Sequence, residues 1–194
     1  LLMNKIIKID QLEENMAEDR RQRKTKTSIQ EALIQFLQKK PLNKISVAEI
    51  VHEADISRST FYLHYDDLYD LYDQLNNHFL DGLFESFETY YPTMQTESYF
   101  ELAQRLINYI DKNKTLFSIF IKENTVSVVN RLSNIFVDKV MQFEKINKDD
   151  LQGYYEIVWS VRGMMGIVIE WTQHDMKPDK DVFIEIVRSI LDKL

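Results

Sequence analysis

An all-α fold of about nine helices is what this sequence predicts, and three observations carry the prediction. Apolar residues recur at three- and four-residue spacing along most of the chain. Glycine and proline, which turn-rich all-β folds require, number only 4 and 3 in 194 residues. The only strand-like runs, "VSVV" and "IVI", lie inside longer helical patterns. The length suffices for one large domain or two small ones with a real core.

The elements follow in order. Residues 1–15, "LLMNKIIKIDQLEEN", precede a Met16 that would make a sensible protein start. They are read as an extension, disordered or foreign to the natural chain, and are left out of the fold. A first helix begins near Gln22, with Ile29, Ala32, Leu33, Phe36 and Leu37 on one stripe, and stops before Pro41. Ser46 and Glu49 form an S-x-x-E capping box opening a short second helix, which carries Val47, Ile50 and Val51 inward and ends near Ala54. Asp55 occupies the turn, and Ser57 is a natural N-cap for a third helix, "RSTFYLHY". Asp66 and Asp67 suit the start of a fourth, whose apolar period runs from Leu68 to about Thr89 with Gly82 in its middle. "YYPTMQTES" breaks the pattern and marks a domain border.

Beyond the border come "YFELAQRLINYIDKN", "KTLFSIFIKE", a longer helix near Thr125–Glu144, another near Asp150–His174, and a last one after Pro178. In the last, Val182, Phe183, Ile186, Val187, Ile190 and Leu191 form a wide apolar stripe. Asp179 and Asp181 fall in its first turn and Lys193 in its last, as the helix dipole favours. The expected organisation is an extension at 1–15, a helix-turn-helix domain at 16–66, a connecting helix at 67–91 and a second helical domain at 92–194.

The net charge of −7 argues at first against a polyanionic partner, but its distribution does not. Met16 to Tyr65 carries nine Lys/Arg and six Asp/Glu, whereas the chain from Asp66 onward carries 13 and 22. A basic head on an acidic body can bind phosphate locally while the body stays soluble. Cysteine is absent, which suits a reducing, cytoplasmic setting. No run of 18 apolar residues and no signal-peptide pattern occurs, so neither membrane insertion nor export is expected. No G-x-S-x-G motif, phosphate-binding glycine loop or cysteine nucleophile is present, so an enzyme is not expected. The four histidines lack metal spacing; His78 with Asp81 and Glu85 reads as a solvated polar face. No cofactor or metal is expected.

Two short helices joined by a tight turn, the second opening on Ser57, Arg58, Ser59 and Thr60, form a helix-turn-helix. Such a second helix enters the major groove of double-stranded DNA. Arg58 there can give two hydrogen bonds to guanine, and the hydroxyls of Ser59 and Thr60 can bond phosphate or base. Phe61 turns back into the small core, while Tyr62, His64 and Tyr65 brace the helix or reach the DNA backbone. Arg23, Lys24 and Lys26 in "RRQRKTK" are candidates for phosphate or minor-groove contact, and Ser46 stands at the start of the supporting helix.

The stretch "ISVAEIVHEADISRSTFYLHYDDLYDL" resembles the DNA-binding segment of the tetracycline-repressor-like (TetR) transcription regulators, specifically over Lys24–Leu71. The family's Tyr-x-His-Phe run is matched by Tyr62, Leu63, His64 and Tyr65. Two departures stand out. Asp55 replaces a usual glycine, and asparagine or aspartate tolerates the left-handed turn best after glycine. Leu68, within the acidic "DDLYD", replaces a usual phosphate-contacting lysine.

The resemblance implies a repressor bound as a homodimer to a palindromic operator and modulated by a small-molecule inducer. It places the dimer interface on the last two helices, where Gly163, Gly166, Ile169, Phe183, Val187 and Ile190 are the candidates. It places an effector pocket in the second domain, with Phe87, Tyr91, Phe117, Phe120, Trp159 and Met164 as candidate walls; plain core packing is the competing role for each. The missing lysine leaves a second reading open: a TetR-like coregulator that works through protein contacts with weak or no DNA binding.

Overall fold

The computed structural model describes residues 2–88, 99–147 and 149–193, with side chains for 19–87, 100–122, 129–147 and 149–193. Among the described residues all regular structure is helical, in eight α-helices and one 3-10 turn. The chain divides into two compact units, Leu1–Asn77 and His78–Leu194.

The first unit contains α1 (Leu2–Leu37), the 3-10 turn Leu42–Lys44, α2 (Val47–Glu53), α3 (Arg58–Tyr62) and the opening turns of α4 (Leu68–Glu88). Helix α2 packs against both α1 and α3. The apolar stripe expected of the first helix supplies the core: Ile29, Ala32, Leu33 and Leu37 are buried, and so are Ile50, Phe61, Tyr65, Leu68 and Leu71. The second unit contains the rest of α4, α5 (Tyr99–Lys112), α6 (Lys114–Glu144), α7 (Leu151–Gln173) and α8 (Lys180–Leu191). Helix α6 packs against α7, and α5 against both α6 and α8. Aromatic rings fill its core: Phe79 lies 5.5, 5.9 and 6.1 Å from the rings of Tyr109, Phe117 and Phe120. At the α7–α8 turn the Trp171 indole N–H donates to the Pro178 carbonyl at 2.7 Å, and the indole stacks on Phe183 with centroids 4.4 Å apart.

Four boundaries differ from the sequence reading. Helix α1 begins at Leu2 rather than near Gln22, so residues 2–15 continue the helix; that stretch has no glycine or proline to stop it. "KTLFSIFIKE" and the segment after it form one helix, α6, because nothing between them breaks the backbone hydrogen bonding. The 3-10 turn in "KKPLNK" makes the ninth helical element instead. Helix α3 ends at Tyr62, and Leu63, His64 and Tyr65 lie beyond it. At the chain's end Arg188, not Lys193, sits in the last turn of α8, which stops at Leu191.

The wide stripe of α8 divides between two sides. Phe183, Ile184 and Val187 are buried in the unit's own core, while Val182, Ile186 and Ile190 are exposed. Helix α7 does the same: Ile157, Val168, Ile169 and Trp171 are buried, whereas Leu151, Tyr155 and Trp159 point outward at four-residue spacing.

Candidate nucleic-acid interface

The third helix has only five residues, too few to be stable alone, so its shape is imposed by what surrounds it. Helix α2 is the first support. Ser46 Oγ accepts from the Glu49 N–H (3.3 Å), and Glu49 Oε2 accepts from the Ser46 N–H (3.0 Å), completing the reciprocal capping box. Lys40 Nζ reaches Glu49 Oε1 at 2.6 Å, tying the turn after α1 to α2. These bonds, Lys40 first and Ser46 next, hold the Glu49 carboxyl below its ordinary value. A depressed carboxyl stabilises the fold above its unfolded-state value, about 4.5, and that contribution vanishes as pH falls through the lowered native value. Glu49→Gln is therefore expected to reduce stability by a constant amount from pH 8 to 5. The difference from the native chain should shrink at lower pH; a difference that grows on acidification would contradict the assignment. Urea unfolding of both chains across that range is the measurement.

The turn comes next. Asp55 takes φ 51°, the left-handed conformation that glycine would otherwise supply, and the Ile56 N–H donates to the Val51 carbonyl at 3.0 Å. Ser57 Oγ then accepts the Thr60 N–H at 3.1 Å and lies 2.7 Å from both Ser59 Oγ and Thr60 Oγ1. Phe61 anchors the helix from beneath, with no exposed surface at all. The rings of Tyr62 and Tyr65 pack on it at 5.3 and 5.8 Å.

With Phe61 inward, the outward face carries Arg58, Ser59, Tyr62 and Leu63, all exposed. An Arg58 Nη2–H donates to the Tyr62 hydroxyl at 3.4 Å, and the guanidinium lies 5.8 Å from that ring's centroid. Tyr65 is different. It is 2% exposed, and its hydroxyl accepts from Gln30 Nε2 at 3.4 Å, so it braces α1 and is not presented outward. Burial pushes its phenol up. His64 is half-buried; desolvation, then the positive charge of Lys26, lowers its pKa. Arg23, Lys24 and Lys26 stand exposed on α1 as part of a continuous helix, not a loose arm. Arg23 also pairs with Asp19 at 3.5 Å. Ser46 and Ser57 use their hydroxyls as caps.

The sequence places Asp66 and Asp67 at the start of the fourth helix, and the hydrogen bonds show how the acids serve that turn. Asp67 Oδ1 accepts the Tyr69 and Asp70 N–H groups, both at 2.8 Å, and Asp70 Oδ2 accepts the Asp66 N–H at 2.9 Å. Hydrogen bonds from Gln74, then from the Asp66 backbone, hold the Asp70 carboxyl below its ordinary value. The first turn of α4 thus carries its own anions. The Asp-x-x-Asp spacing at 67 and 70 was the signal.

The second unit holds the remaining candidates. Phe87, Phe117 and Phe120 are buried, Met164 is half-buried, and Trp159 is 58% exposed, so Trp159 does not join the buried three. Phe87 packs with Phe136 and Phe143 at 5.4 and 5.8 Å, in the same buried cluster as Phe79, Phe117 and Phe120. Tyr91 lies outside the described residues. Of the interface candidates, Ile169, Phe183 and Val187 fill this chain's own core, whereas Gly163, Gly166 and Ile190 are exposed. A Cβ added at either glycine would meet nothing within 4 Å among the described residues. Leu151 and Tyr155, which share a four-residue row with Trp159, were not singled out from the sequence, and Trp159 was named only as a pocket wall.

Comparison with known proteins addresses both units. A TetR model described as a transcriptional regulator C-terminal region matches residues 97–193. Three solved structures share the fold. A transcriptional regulator of the TerR/AcrR family from Aquifex aeolicus VF5 aligns with a TM-score of 0.59 at 18% identity, over 87% of this chain and 98% of that one. The dihydroxyacetone kinase operon activator DhaS aligns with 0.54 at 16%, over 88% and 97%. A candidate fatty acid metabolism regulator of Clostridium perfringens aligns with 0.59 at 15%, over 86% and 98%. No curated protein matches the sequence.

Proposed function

The chain belongs to the TetR family of transcriptional regulators, and on that premise we propose that it is a cytoplasmic, non-enzymatic repressor that binds a palindromic DNA operator as a homodimer. One observation carries the reading: Arg58, Ser59 and Tyr62 stand exposed on the outer face of a capped, core-anchored helix, while Phe61 beneath them is fully buried. A face of this kind suits the major groove, with the guanidinium directed at a guanine edge and the Ser59 and Thr60 hydroxyls at phosphate or base. Arg23, Lys24, Lys26 and His64 supply phosphate contacts beside it. Selection of bound duplexes from a random DNA pool tests the reading, and a palindrome should be enriched. Arg58→Ala should then lose about 1–3 kcal/mol of discrimination at one base pair per half-site. Affinity should also fall steeply with salt as phosphate contacts release counterions.

The dimer reading rests on the uncovered side of α7 and α8. Gly163 and Gly166 each cost about 1 kcal/mol relative to alanine in a helix interior, and nothing described in this chain approaches them. Leu151, Tyr155, Trp159, Val182, Ile186 and Ile190 lie exposed on the same two helices. A twin chain would bury these residues and use the space above the glycines for close helix approach. Trp159→Asp combined with Gly163→Arg should give a folded monomer by light scattering; a persisting dimer would place the interface elsewhere. A small-molecule effector among Phe87, Phe117, Phe120 and Met164 would act by favouring one spacing of the paired α3 helices.

A second reading draws on the acidic first turn of α4. Asp67 there takes up N–H groups that could otherwise face a phosphate, which favours a coregulator working through another protein. A flat salt response and no enriched duplex would select it. One structural neighbour is named an operon activator, so activation is the alternative sign of regulation.

A further inference from the structure

We propose that Tyr62 is a positioning residue for Arg58, setting base discrimination by holding the guanidinium in its reading orientation before DNA arrives. The inference rests on the DNA-binding reading above and concerns how that face achieves specificity.

Arg58 and Tyr62 are one helical turn apart, so their side chains lie side by side on the outer face. The Nη2–H to Tyr62 hydroxyl bond at 3.4 Å uses one of five guanidinium donors, and the guanidinium also lies within cation–π range of the ring, 5.8 Å from its centroid. The donors left over suffice for a two-pronged bond to a guanine edge. The tyrosine is itself fixed. Its ring meets Phe61 edge-on, with centroids 5.3 Å apart and planes at 89°, and Phe61 is wholly buried. A rigid path thus runs from the core through Phe61 and Tyr62 to the guanidinium. A long arginine side chain on a surface otherwise samples many rotamers, and ordering them opposes binding. Preorganisation of the fork removes part of that cost, and only for the base pair that the fork can reach.

The phenol keeps its own hydrogen when it accepts from Arg58, so it could instead donate to a phosphate. The two roles differ in what they change. A phosphate contact contributes equally to every sequence, whereas a positioned guanidinium contributes to one base pair.

The test uses the full chain and the duplex enriched from a random pool, with every single base-pair variant of that duplex and a scrambled control. The pair read by Arg58 is the one at which Arg58→Ala loses its preference. Tyr62→Phe is expected to lower discrimination at that pair by roughly three- to tenfold. Other positions and the scrambled duplex should change by less than about twofold. In the Arg58→Ala background Tyr62→Phe should leave that pair unaffected. Tyr62→Leu, which removes the ring as well, should flatten the preference further. An equal loss on all duplexes, undiminished without Arg58, would overturn the proposal in favour of a phosphate contact. An unchanged profile would overturn it as well. Absence of any enriched duplex would instead overturn the DNA-binding reading, and the proposal with it.

Discussion

Phe61→Ala is expected to destabilise the first unit by about 3–5 kcal/mol and to abolish sequence-selective DNA binding. The side chain is fully buried, and the rings of Tyr62 and Tyr65 both pack on it. Its removal leaves a cavity under a five-residue helix that has little stability of its own. The Ser57 cap contributes only about 1 kcal/mol and cannot replace a missing core anchor. Phe61→Leu keeps most of the volume and should cost less than about 1.5 kcal/mol. Denaturant unfolding of both variants decides the matter. A loss below about 1 kcal/mol for Phe61→Ala would mean that α3 is held chiefly by its caps.

Gly82→Ala should cost about 2 kcal/mol, against the ordinary trend. Alanine in a helix interior is normally favoured over glycine by about 1 kcal/mol, and Gly82 lies well inside α4. The opposite sign arises from Tyr109. Its hydroxyl donates to the Phe79 carbonyl at 2.9 Å, directly over Gly82. A Cβ at position 82 would clash with that oxygen and fall 3.0 Å from the ring carbon bearing it. The ring must move, the hydrogen bond breaks, and the contact with Phe79 at 5.5 Å is disturbed. Burial first, then Asp81 and Glu85, raises the Tyr109 pKa, so the hydroxyl remains a donor at neutral pH. For a chain of this size 2 kcal/mol lowers the melting temperature by roughly 4–8 °C. Adding Tyr109→Phe should recover part of the loss, because the closest clash disappears. Gly163→Ala and Gly166→Ala provide the contrast: with no described residue within 4 Å of an added Cβ, they should not destabilise the folded monomer. A neutral or stabilising Gly82→Ala would show that the ring yields freely.

Much of the first unit was legible in the chain itself. The capping box at Ser46 and Glu49, the left-handed turn at Asp55 and the cap at Ser57 are local devices, each set by side chains within a few residues of the backbone they serve. Boundaries were less legible. Helix α1 extends back to Leu2, and α6 is continuous, because propensity without a breaker does not mark where a helix starts or stops. Tyr65 shows the limit for the candidate interface. Its place in the aromatic run leaves bracing and DNA contact both open, and the end of α3 at Tyr62 turns it inward against Gln30.

The sequence by itself determined that the fold is helical and that a short polar segment beginning at Ser57 opens a helix, since periodicity and capping act through neighbours a few positions apart. It could not tell which half of a two-sided apolar stripe faces inward. Packing assigned Phe183 and Val187 to the core and left Val182, Ile186 and Ile190 uncovered. It also gave Gly82 a tyrosine from another helix and left Gly163 with open space among the described residues. Those outcomes depend on which distant segments meet, and helical period alone carries no record of the partner.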